Sequence, residues 1–212
     1  MPLSPPKARQ RLHTRKIDLA GYYRDDGLWD IEAHIVDTKT YTYESKWRGT
    51  VASGYPVHDM SVRMTIDRDL VVQEVEAVMD VQPYTICSNV LENFQRLVGL
   101  KVGGGWNRRV REAVGGVDGC THITELFGPL ATVTFQTLSA EYAKQLMGIE
   151  EKEEGQASGG KQQSPFMLNG CYTWSSQSPV VEKDYPDFYQ APDVKTSGDA
   201  DVKALRFKEK AQ

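Results

Sequence analysis

Several absences narrow the reading first. No apolar run reaches the roughly 18–20 residues of a membrane span, so no membrane-crossing helix and no membrane partner are expected. The chain begins MPLSPPKARQRLHTRK without an apolar core segment, so no secretory signal is expected. Cysteine is scarce: Cys87, Cys120 and Cys171 are odd in number and far apart, with no CxxC. That pattern excludes a disulfide framework and a locally encoded structural zinc site, and it fits a reducing cytoplasm. Positive charge is not in surplus, with 25 Lys and Arg against 29 Asp and Glu, and the net charge is −4. An acidic balance argues against nucleic acid as a general partner. No GxSxG, no HExxH and no GxGxxG with a following acid occurs, and VGGGW (102–106) matches a phosphate loop in glycine content alone. No cofactor fingerprint is therefore present, and no internal repeat.

What is present suits one core. The chain has 212 residues, 40% of them hydrophobic, with ten Tyr and four Trp. LWDIEAHIV (28–36) alternates, with Trp29, Ile31, Ala33 and Ile35 on one side and Asp30, Glu32 and His34 on the other. MSVRMTI (60–66) alternates likewise, DRD (67–69) reads as a turn, and LVVQEVEAVMDVQ (70–82) sets Val71, Val75, Ala77, Met79 and Val81 on one face. Residues 37–59 read as a long polar loop with a short strand at 40–44. After Pro83 the period becomes helical: Ile86, Val90, Leu91, Phe94, Leu97 and Val98 up to Gly99, then Trp106, Val110 and Val114. Ile123, Leu126, Phe127, Leu130 and Val133 open a third helix, kinked at Pro129 and running to about Gly148.

Strands first and helices later define an α+β fold. The expectation is an antiparallel sheet of three or more strands against about three helices, with an irregular aromatic C-terminal arm. Residues 1–11 read as a flexible basic tail, in a cluster of Lys7, Arg9, Arg11, Arg15 and Lys16. Residues 12–148 form the domain, 149–165 a mobile linker, 166–192 the arm packing back on the domain, and 193–212 a polar tail.

GYYRDDGLWDIEAHIVDTKTY, HDMSVRMTID, MDVQPYTIC and GCTHITEL, in this order, resemble the bacterial family called domain of unknown function 2889, over roughly residues 10–190. The resemblance implies no activity. It adds weight to Arg15, Arg24, Asp25, Asp30, His58, Asp59, Asp80, Cys87, Cys120, His122 and Glu125.

The candidate chemistry is scattered along these motifs. GGVDGCTHITEL (115–126) reads as a glycine-hinged helix entry, with Cys120 on the loop side and His122 and Glu125 sharing a face at i,i+3. A helix start favours a thiolate, and a histidine beside a carboxylate is a workable base. The bland alternative is a buried cysteine, a packed histidine and an acid that complements the helix dipole. His58 and Asp59 precede a strand and face opposite ways; Tyr84 could donate a proton at a helix start. Asp30, Glu32, His34, Arg63, Glu74 and Asp80 mark a polar sheet face, which is ordinarily just solvated. The leading expectation is a small cofactor-independent enzyme of lyase, hydratase or isomerase type acting on a small organic substrate, aromatic ones included. His58, Asp59, Tyr84, Cys120, His122 and Glu125 are its candidate catalytic residues, and Arg24, Arg63, His34 and Trp29 its substrate-binding ones. Two rivals remain: a zinc or iron protein using Cys87, Cys120, His122 and Glu125, and a non-catalytic ligand-binding or assembly module. A homo-oligomer is compatible with each.

Overall fold

The computed structural model describes residues 3–138, 165 and 167–191. The chain divides into two units, residues 1–151 and 152–212. The expected linker before position 165, the tail beyond 192 and the extension of the third helix past 138 lie outside the described residues.

In the first unit, β1 (His13–Tyr23), β2 (Trp29–Lys39), β5 (Pro56–Ile66) and β6 (Val72–Val81) form one antiparallel sheet in the order β1-β2-β5-β6. A small hairpin, β3 (Tyr43–Ser45) with β4 (Gly49–Val51), fills the loop where one short strand was expected. The α+β expectation holds. β1 pairs with β2 without interruption from His13↔Lys39 to Tyr23↔Trp29. Asp25, Asp26 and Gly27 turn between them, with Gly27 at φ +85°, the left-handed conformation this three-residue loop needs.

One sheet face is apolar and covered. Trp29, Ile31, Ala33 and Ile35 of β2 and Met60, Val62, Met64 and Ile66 of β5 are at most 2% exposed. They follow the alternation seen in the sequence. β6 departs from it: Val72, not Val71, is buried with Val75, because the register with β5 shifts between Thr65 and Ile66. The bulge inserts one residue and reverses the parity of everything before it.

Three helical segments cover this face. Thr85–Leu97 is a 3-10 helix, not the expected α-helix. Its three-residue period aligns Leu91 with the buried Phe94 and Leu97 and leaves Ile86 71% exposed, outside the apolar row that 3.6-residue spacing assigned it to. α1 (Trp106–Val114) buries Trp106, Val110 and Val114 as expected. α2 (Thr121–Leu138) buries Ile123, Leu126, Phe127, Leu130, Ala131 and Thr134, with Pro129 inside it. The Trp106 indole N–H donates to the Phe127 carbonyl at 2.7 Å, and the Phe94 and Phe127 rings stack at 5.8 Å, so the helices are locked to one another as well as to the sheet. No helix among the described residues is long and apolar enough to cross a membrane.

α2 runs along β1. Near its end the Thr137 side chain occupies the space a Cβ at Gly21 would take. Gly21→Val should therefore cost about 1–3 kcal/mol through overpacking, read as a lowered urea midpoint at unchanged slope.

Among the described residues of the second unit is a short helix, α3 (Pro179–Asp184), capped by the Ser178 hydroxyl, which accepts from the Val181 N–H at 3.2 Å. Trp174 packs on Tyr185 with ring centroids 5.5 Å apart. A 3-10 turn, Pro186–Phe188, follows α3, and the rest of the described arm is irregular.

Candidate functional site

At one end of the covered sheet face the apolar rows turn polar without changing parity. Ile35 of β2 is followed in its row by Asp37, Met60 of β5 is preceded by His58, and Ile17 of β1 by Arg15. The strand registers set Arg15 opposite Asp37 and Asp37 opposite His58. Three side chains are thereby lined up across three strands, with Asp37 in the middle at 2% exposure.

Asp37 is held from several sides. The Arg15 guanidinium donates in a fork, Nε to Oδ1 at 2.8 Å and Nη2 to Oδ2 at 2.7 Å. The His58 ring contributes Nδ1 at 3.0 Å from Oδ2. His13 Nε2 lies 3.1 Å from Oδ1. His122 arrives from the start of α2, its Nε2 3.9 Å from Oδ2. The His58 and His122 rings lie face to face, centroids 3.7 Å apart and tilted by 31°. Three of the chain's four histidines thus surround one buried carboxylate.

The helix entry is built to deliver His122. Gly116 adopts φ +61°, and at Gly119 a Cβ would overlap the Val114 carbonyl, so the entry lies against the end of α1. Cys120 sits just before the helix with Sγ 3.9 Å from His122 Nδ1. Glu125, one turn on, accepts from Arg15 Nη1 at 2.8 Å and ties α2 to β1. A groove of about 470 Å³ between α1 and α2 reaches Glu125, lined also by Asn107, Arg111, Thr121 and Thr124.

The electrostatics follow from burial and from Arg15. Burial raises the Asp37 carboxyl, but the Arg15 hydrogen bonds and charge, with His58, outweigh it and hold the pKa below the ordinary value. Burial lowers His58, and His122 and Arg15 add to this against the opposing pull of Asp37. Burial and then Arg15 lower His122. Both imidazoles are therefore neutral at pH 7.

Of the expected site residues, His58, Cys120, His122 and Glu125 come together here. The others do not join them. Asp59 faces the opposite side of the sheet and pairs with His34 at 2.6 Å. Arg63 is engaged by Glu32 at 2.8 Å and Glu76 at 2.9 Å, on that same solvent-facing side. Arg24 pairs with Asp26 and Asp30 at the hairpin turn. Tyr84 packs edge-on against the exposed Trp47. Trp29 is 1% exposed in the core, which removes it from any substrate surface. Among the described residues, the group whose ligand atoms lie within 4.8 Å of one another is Asp37, His58 and His122, not the set of Cys87, Cys120, His122 and Glu125. Arg15 and Lys16, the last members of the N-terminal basic cluster, lie in β1. Asp37 and His13 were missed altogether. The parity of β2 carried the missing signal, since a row of Trp29, Ile31, Ala33 and Ile35 points the next member, Asp37, inward.

The molecule is thus an α+β protein in which the buried carboxylate of Asp37, at the end of the core, gathers an arginine and three histidines. The chain belongs to the family described as protein of unknown function DUF2889, whose model matches residues 13–136. That span takes in every residue of the site and ends before the second unit. No curated protein and no solved structure matches the chain.

Proposed function

We propose that this protein is an enzyme of the lyase, hydratase or isomerase type that moves a proton on a small organic substrate, with His58 as the base. The observation that carries this reading is the 3.0 Å contact of His58 Nδ1 with an Asp37 carboxylate already fixed by the Arg15 fork. An ionised carboxylate accepts only, so Nδ1 bears the ring proton and donates it to Asp37. Nε2 is left with its lone pair, in a ring that burial keeps neutral. When Nε2 takes a substrate proton, Asp37 stabilises the imidazolium, whose new N–H exchanges with solvent before the ring returns a proton to the product. Asp37 acts as a positioning residue, held by Arg15, which Glu125 anchors in turn. His122, stacked on His58, places a second imidazole beside the base and disfavours its charged form. The odd number and wide spacing of Cys87, Cys120 and Cys171 suit a reducing, cytoplasmic setting.

The test is solvent exchange. Incubation with a panel of small carboxylic acids, ketones and phenols in D2O should place deuterium at an activated C–H of at least one class, read by proton NMR. A panel inert throughout, aromatic members included, would count against the reading.

A second reading is favoured by the clustering of Asp37, His58 and His122, which offers three ligands of the type zinc or iron(II) accepts. Against it, Asp37 already takes two hydrogen bonds from Arg15 and one from His58, and a cation would have to displace the guanidinium. Titration with zinc or iron(II) separates the two. Stoichiometric binding that raises the melting temperature and is lost in Asp37→Asn supports the metal.

A further inference from the structure

We propose that β1 is the seam of a homodimer, in which the β1 strands of two copies pair antiparallel about a two-fold axis at Ile17. β1 is an outer strand of the sheet, and it is eleven residues long with no proline and no bulge against β2. Its hydrogen-bonding phase is fixed at both ends. Thr40 N–H donates to Leu12 C=O, and Arg24 N–H donates to Leu28 C=O, so the even-numbered residues of β1 face β2. The N–H and C=O groups of His13, Arg15, Ile17, Leu19, Gly21 and Tyr23 therefore point away from the sheet. No hydrogen bond among the described residues engages them. Such an edge recruits another strand unless something blunts it.

The occupant follows from the charges. Lys16 and Asp18 have no ion partner among the described residues. Pairing centred on residue 16 sets Lys16 against the partner's Lys16, and pairing centred on residue 18 sets Asp18 against the partner's Asp18. Pairing centred on Ile17 sets Lys16 opposite the partner's Asp18, and by symmetry does so twice. It also sets Ile17, 36% exposed in a single copy, against the partner's Ile17. The Lys16–Asp18 pairs fall at non-hydrogen-bonded positions, where cross-strand side chains approach most closely. The same register sets His13, 49% exposed, opposite the partner's Gly21, so the partner's sheet walls the open flank of the histidine cluster.

The experiment measures the mass of the full chain in solution by light scattering and its dimer dissociation constant by sedimentation. Wild type should show twice the 23.8 kDa of one chain. Lys16→Asp alone or Asp18→Lys alone makes both cross-strand pairs repulsive and should weaken dimerisation about tenfold or more. The double variant restores opposite charges in swapped positions and should recover the dimer. Ile17→Pro removes an outward N–H that β2 does not use, and should give a monomer with unchanged circular dichroism. A wild type that is monomeric at the highest concentration reached overturns the proposal. So does a dimer indifferent to the charge swaps. Either result leaves the solvent-exchange test unaffected.

Discussion

Arg15→Ala should destabilise the fold by about 3–5 kcal/mol, more than removing the acid it binds. The asymmetry comes from depth. Asp37 is 2% exposed and Arg15 30% exposed. Without the guanidinium, a buried carboxylate keeps only imidazole neighbours, of which burial disfavours the charged form of His58 and His122. Without the carboxylate, Arg15 still reaches water and still holds Glu125 at 2.8 Å, so Asp37→Ala should cost about 1–3 kcal/mol, the scale of leaving one donor unsatisfied. Urea unfolding of the two variants side by side checks the order. The sign against pH is also defined. In wild type the Asp37 pKa is depressed, so its contribution is complete above the ordinary carboxylate value near 3.8 and is lost only as pH falls below it. In Arg15→Ala, burial acts unopposed by the arginine and raises that pKa. The folded variant then binds a proton before the unfolded chain does, and its deficit relative to wild type should narrow on going from pH 7.5 to 5.5. An equal deficit at both pH values would mean that Arg15 matters only through packing of its alkyl stem.

The parts of the fold that could be read in advance are those where one face is buried and the other wet. β2 and β5 alternate because their even and odd rows meet different media. α1 buries its three apolar residues at four-residue steps for the same reason. β1 could not be read this way. It lies at the sheet edge, its side chains are mostly exposed or half-exposed, and its inward row includes His13 and Arg15, so no period of two survives in its hydropathy. The 3-10 segment was misassigned because a three-residue and a 3.6-residue period agree over one turn and diverge by Ile86. A bulge in β6 leaves no mark in the hydropathy pattern, and so Val71 was placed where Val72 belongs.

The site was half legible. GGVDGCTHITEL announced itself through chemistry-bearing residues, and the glycines before the helix do shape an entry that carries His122 inward. His58 stood out as a histidine beside a strand, and strand alternation already separated it from Asp59. The hub they share did not stand out. An isolated aspartate after an alternating run looks like the end of a strand. Only the cross-strand register, which brings residues 15, 37 and 58 abreast, reveals it as the continuation of the core row. Register depends on pairing partners distant in the chain, and a local pattern does not contain it.

His58→Gln should slow any substrate exchange catalysed by wild type by about 10²–10⁴-fold, the usual worth of a positioned general base. Glutamine preserves size and polarity and keeps a donor near Asp37, so the melting temperature at pH 8 should change little beside the activity. The pH profile identifies the group. The base must be neutral, and burial, His122 and Arg15 lower His58 against the hydrogen bond and charge of Asp37. The rate should therefore rise with pH and reach half its plateau below the ordinary histidine value near 6.5. His122→Gln removes a neighbour that disfavours the imidazolium and should move that midpoint up. Asp37→Asn removes the acceptor that favours it and should move the midpoint down. Stability carries the same signature. His58 and His122 bind protons less readily folded than unfolded, so their contribution to wild-type stability is complete above the unfolded value near 6.5 and falls as pH drops through it. Either glutamine variant should flatten that fall. Should His58→Gln keep the wild-type exchange rate while His122→Gln loses it, the base is His122, and the Asp37-oriented ring is only a structural partner.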